Sequence, residues 1–112
     1  MVPASDGDEA WAVLSSPTAP RVALLDWEMP GPDGPELCRR LMALDRPNPT
    51  YAILLTVRDA PAEISAGLEC GAHDYIAKPM HHLMLRRRLA IWRRLVELEE
   101  QQSALGLALE GP

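Results

Sequence analysis

An α/β fold, a parallel sheet layered with helices, is predicted for this 112-residue chain by three observations. Two short runs, residues 21–25 (RVALL) and 51–57 (YAILLTV), are almost wholly apolar, as strands covered on both faces are. Amphipathic helical patterns lie between and beyond them, and each connection is long enough for a right-handed crossover helix. Helix start and stop signals fall at the joints of this alternation, and no internal repeat competes with it.

In chain order, residues 1–4 read as a first strand, and Asp6 with Glu9 has capping-box spacing that starts a helix. After the 21–25 strand, Asp33 with Glu36 repeats that spacing and Pro35 sits where a first-turn proline is tolerated, opening a helix with Leu37, Leu41 and Leu44 on one stripe. The 51–57 strand is followed by Pro61 at a helix start, by Ile64 and Leu68 on one stripe, and by Gly71 as a stop. Residues 75–77 form the next short strand. From about residue 81 to about residue 105 there is neither Gly nor Pro, so the last helix is expected to run well past the average of about 11 residues. Residues 1–94 are expected to form the domain and 95–112 an extension of the last helix and a tail.

Apolar residues make up 47% of the chain and charged residues 24%, which places it with soluble globular domains rather than disordered or fibrous chains. Phe is absent and the aromatics are Trp11, Trp27, Tyr51, Tyr75 and Trp92, so the core has to be aliphatic. A net charge of −5 argues against a domain that holds nucleic acid by neutralising phosphates, and Arg86, Arg87, Arg88, Arg93 and Arg94 read as a solvated helix face. Direct nucleic-acid and membrane partners are not expected. Cys38 and Cys70 stand in no CxxC or Cys/His spacing and read as reduced packing residues, while His73, His81 and His82 read as helix-start or surface residues. The acidic N-terminal residues and the lack of any long apolar run make the cytoplasm the expected compartment.

Ligands of open parallel sheets bind beyond the carboxyl ends of the strands. There the sequence places Asp26, Thr56 and Lys78: a carboxylate, a hydroxyl and an ammonium, respectively a nucleophile, a neutral donor and a cation suited to an incoming phosphoryl group. Lys78 is the sole lysine among eleven basic residues.

LLDWEMPGPDG, LLT and DYIAKP resemble the phosphoacceptor loop, switch strand and closing strand of response regulator receiver domains, with 30 residues from Asp26 to Thr56 and 22 from Thr56 to Lys78. The resemblance covers residues 1–94. It implies a flavodoxin-like parallel sheet with helices on both faces, and a signalling module rather than a turnover enzyme. It implies that Asp26 accepts a phosphoryl group from a sensor histidine kinase or a phosphotransfer protein, that Lys78 and Thr56 bind the new phosphoryl oxygens, that Tyr75 is a switch residue, and that Pro79 is cis.

The cofactor implied is Mg²⁺, with Asp26 and the backbone carbonyl of Glu28 among its ligands. The chain starts at what matches the family's second strand, so the acidic pair that ends the family's first strand has no counterpart, and Asp6, Asp8 and Glu9 match ordinary helix-start positions. Slow or absent phosphorylation is therefore expected, with Glu28 and the bulky Val57 restricting access. A homodimer is expected too, formed by the strand edge near Arg21 and by the last helix. That helix carries Leu85, Leu89, Trp92 and Val96 on one stripe and Ile91, Leu95 and Leu98 on a second. The rival reading is a degenerate receiver that dimerises or docks a partner without phosphorylation.

Overall fold

A computed structural model describes residues 4–57 and 61–110, with the backbone alone described for 102–110. The elements alternate as expected: α1 (Gly7–Leu14), β1 (Val22–Asp26), α2 (Gly34–Ala43), β2 (Tyr51–Thr56), α3 (Pro61–Glu69), β3 (Asp74–Ala77) and α4 (His82–Glu110). The chain divides into two compact units, Met1–Met80 and His81–Pro112. Of the expected first strand, residues 1–3 lie outside the described residues and Ala4 is irregular.

The first unit holds three parallel strands in the order β1-β2-β3, as in a flavodoxin-like receiver fold. Val22 pairs with Tyr51 and Asp26 with Leu55; Ile53 pairs with Asp74 and Thr56 with Ala77. β2 has neighbours on both edges and is the most deeply covered strand, with Ala52, Ile53, Leu54 and Thr56 buried. β1 instead alternates, burying Ala23 and Leu25. Leu37 and Cys38 from α2 pack with Ala10 and Leu14 of α1 and Leu54 of β2 in an aliphatic core. Full burial of each large side chain there contributes about 1.5–3 kcal/mol.

The capping signals operate as the spacing predicts. The Asp6 carboxylate accepts the Glu9 amide N–H at 2.8 Å and that of Asp33 accepts the Glu36 N–H at 3.0 Å. The Glu9 carboxylate reaches back to Ser5, accepting its hydroxyl at 2.6 Å and its N–H at 3.2 Å, and the Ser5 hydroxyl holds the Glu9 carboxyl below its ordinary range. His81 caps α4, its Nδ1 accepting the Leu83 N–H at 3.2 Å. His73 is exposed, as the surface reading has it, and its Nδ1 accepts the Ala52 N–H at 3.1 Å, at the entrance to β3.

Two further readings change. α2 ends at Ala43 and Leu44 turns extended as its cap, so the stripe on α2 is shorter than predicted. On α3 the buried residue is Gly67, whereas Leu68 is 38% exposed. The Trp27 ring explains this. A Cβ built on Gly67 would lie 2.5 Å from Trp27 Cζ3 and 3.1 Å from Leu54 Cδ1, so α3 approaches the sheet through the one residue that leaves room for the indole. Gly7 is as constrained: its N–H donates to the Pro30 carbonyl at 2.9 Å, and a Cβ there would meet the Pro32 oxygen at 1.8 Å.

Gly67→Ala is expected to destabilise the fold by about 1–3 kcal/mol by overpacking, and Gly7→Ala, which collides with backbone, by at least as much; urea titration of each variant checks this. Cys38 is 1% exposed, and burial pushes its thiol up to about 12. Between an ordinary value near 9 and about 12 the unfolded chain releases a proton that the folded chain keeps, so Cys38 makes stability fall as pH rises through that window. Alkylation at about pH 8 is expected to modify half-buried Cys70 in the native protein and Cys38 only after unfolding, read by intact mass with and without urea.

Candidate functional site

The carboxyl ends of the three strands converge on one rim, and backbone hydrogen bonds extend the pairing past the strands themselves. Trp27 N–H donates to the Leu55 carbonyl at 2.9 Å, and Lys78 N–H donates to the Thr56 carbonyl at 2.7 Å. Residue 26 on one side of β2 and residue 78 on the other are thereby held to the same end of the central strand. Adjacent strands lie about 4.8 Å apart, so β1 and β3 are separated by about twice that, a gap a lysine stem can bridge. Lys78 does so: its Nζ makes an ion pair with Asp26 Oδ1 over the end of β2.

Asp26 and Lys78 are each about half exposed, with side chains 47% and 44% accessible. Thr56, the last residue of β2, is buried. The structure thus brings Asp26 and Lys78 into contact and sets Thr56 at the end of the strand between theirs. Tyr75 is half-buried on β3 against the core cluster, with its N–H on Asp74 Oδ1 at 2.9 Å. Glu28 is exposed in the loop after Asp26 and Val57 is 71% exposed just past Thr56. The Lys78–Pro79 peptide bond is cis.

The loop after Asp26 is tied along its length. Gly34 N–H closes it by donating to the Trp27 carbonyl at 3.0 Å, the Gly7 amide of α1 holds Pro30, and Gly31 turns at φ +77°. Trp27 extends the loop's contacts to Gly67 of α3. Sequence reading passed over this pair. The signal available was a glycine inside a helix, which costs about 1 kcal/mol against alanine and so calls for a packing reason.

Among the described residues no three His, Cys, Asp or Glu side chains converge to hold a metal ion. Asp6 and Glu9 are engaged in capping α1, and Asp26 already carries the Lys78 ammonium. Of the ligands the resemblance implies, Asp26 stands at the rim in contact with Lys78 and Glu28 lies in the loop that follows it, and no step below passes through a metal ion. What the rim offers is a carboxylate, an ammonium on one of its oxygens, and a hydroxyl-bearing residue at the strand end between them.

The family model of the response regulator receiver domain matches residues 1–90. The response regulator MprA of Mycobacterium ulcerans is 37% identical over 106 residues, covering 95% of this chain and 44% of that protein. The chemotaxis protein CheY1 of Helicobacter pylori is 30% identical over 91 residues, covering 81% of this chain and 73% of that protein. Among solved structures, the Francisella response regulator 1452 receiver domain superposes with a TM-score of 0.71 at 31% identity, covering 82% of this chain and 74% of that one. The BeF3-activated N-terminal receiver domain of Klebsiella pneumoniae RstA gives 0.68 at 35% identity, covering 79% and 72%. The chain spans less than half the length of MprA.

Because the Asp26–Lys78 pair stands half in water, it contributes little to folding. Asp26→Asn and Lys78→Met are each expected to change the unfolding free energy by no more than about 1 kcal/mol in urea titration, in contrast to the glycine variants.

Proposed function

This chain belongs to the response regulator receiver domain family of two-component signalling, and from that premise we propose that Asp26 accepts a phosphoryl group from a phosphohistidine on a partner kinase or phosphotransfer protein in the cytoplasm. The observation that carries this reading is the contact between Asp26 and Lys78 over the end of β2, where Thr56 ends the strand.

An Asp26 carboxylate oxygen attacks the phosphorus in line with the P–N bond of the donor. That bond breaks, and the donor imidazole leaves with its electron pair, giving an aspartyl phosphate. With Lys78 on Oδ1, Oδ2 is the oxygen assigned to the attack. The Lys78 ammonium offsets repulsion between carboxylate and donor, then follows the charge onto the phosphoryl oxygens. The Thr56 hydroxyl donates to one of those oxygens.

Before transfer, acid and amine match in charge. Afterwards the group carries a charge of about −1.5 to −2 against one ammonium, an imbalance that pulls donors in the neighbouring loops toward residue 26. Tyr75, on the adjacent strand, turns into the space so opened. The product is a changed protein-binding surface, which is the output of a signalling module rather than of a turnover enzyme.

Incubation with an acyl phosphate or a phosphoramidate, followed by intact mass measurement, tests this with and without Mg²⁺. The parent chain is expected to gain one phosphoryl group slowly, Asp26→Asn none, and Lys78→Met far less than the parent. A parent that gains nothing under either condition would assign the domain to phosphorylation-independent docking.

A further inference from the structure

The turn that closes α3 sets one of the chain's two cysteines against the helix that carries the other. Cys70 follows the last residue of α3, and its N–H donates to the Ala66 and Gly67 carbonyls at 3.2 Å each. Gly71 then turns at φ +111°, a conformation that favours glycine, and its N–H donates to the Leu68 carbonyl at 3.1 Å. This turn lies on α2: a Cβ built on Gly71 would stand 3.2 Å from the Cys38 carbonyl oxygen and 3.3 Å from Met42 Cβ and Sδ. Ordinary bond lengths then keep the Cα atoms of Cys38 and Gly71 within about 7 Å of each other. Cys70, the residue before, packs against the cluster that holds Cys38.

Both thiols are free, and they differ in access: Cys38 is 1% exposed, whereas Cys70 is half-buried. The Cys38 thiol is pushed up to about 12 by burial first and by the Cys70 sulfur second, so the two sulfurs lie within range of each other's charge. The Arg39 guanidinium, paired with Glu36 at 3.0 Å, also stands beside the Cys70 sulfur. A cation in that place steadies the negative charge that a sulfur carries as it attacks a disulfide or leaves one. One sulfur is thus open to a reagent from solvent, and the second can be reached only through the first.

We propose that Cys38 and Cys70 form a dithiol site that a small disulfide oxidises to an intramolecular disulfide. Cys70 reacts first: its thiolate attacks the small disulfide, breaks that S–S bond and becomes a mixed disulfide, and the released thiolate takes up the proton Cys70 lost. Capping the Cys70 sulfur removes the charge that opposes ionisation of Cys38. The Cys38 sulfur then attacks Cys70 Sγ, breaks the mixed S–S bond and expels the second small thiolate, which takes up the Cys38 proton. Two protein thiols are oxidised and one small disulfide is reduced to two thiols. The new bond staples the end of α3 to α2, and in a compartment that keeps thiols reduced such a bond is transient, as in redox-sensing pairs.

Incubation of the full 112-residue chain with glutathione disulfide at about pH 8 without denaturant, followed by intact mass measurement, tests this. The parent is expected to lose two hydrogens as a single chain, at unchanged helix content by circular dichroism, and to regain them with dithiothreitol. Cys70→Ser is expected to stay unmodified, and Cys38→Ala to stop at one glutathione, mapped to Cys70. Cys38→Ala removes a buried sulfur from the core, so it is compared at matched helix content, and the parent measurement decides without it. The proposal fails if the parent stops at a lasting glutathione adduct, stays unmodified, or reaches its oxidised mass only in urea.

Discussion

Two backbone hydrogen bonds, from Trp27 to Leu55 and from Lys78 to Thr56, fix the end of the sheet on which the rest of the site stands. Each belongs to a residue just beyond a strand, where a chain normally peels away into a loop. Because both land on β2, the outer strands cannot splay at their carboxyl ends, and the distance a lysine stem must cover is set by strand spacing alone. The ion pair is a consequence of that pairing rather than its cause, as its exposure to water requires.

Such an arrangement separates what makes the domain fold from the charged groups at its rim. Stability resides in Leu37, Ile53, Leu54 and Ile76, which are almost fully buried, and in helices capped by Asp6 and Asp33. The charged groups at the rim remain hydrated and are only weakly coupled to folding. Their rearrangement would therefore draw little on the core.

The parts of this design written in local sequence were readable. Asp26, Thr56 and Lys78 stand out because each closes or follows an apolar run, and the two caps because Asp and Glu recur three apart. What escaped was contact between distant segments. Nothing near Gly67 in the sequence names Trp27 as its neighbour, so Leu68 looked like a core residue, and nothing near Gly7 names Pro30. β1 was shifted by one residue because Arg21 uses its carbonyl for Tyr51 while standing outside the strand. On α4 both apolar stripes were visible, but only burial told them apart.

The indole lodged on Gly67 has a consequence for α3. A glycine at the seventh position of a nine-residue helix lowers its intrinsic helicity by up to about 1 kcal/mol, so docking rather than propensity keeps that segment wound. Trp27 is the residue next to Asp26, and a shift of its ring would unseat the support. Amide protons of α3 then exchange with solvent at a rate set one residue away from the acid, which makes the helix a thermodynamic gauge of events at the rim.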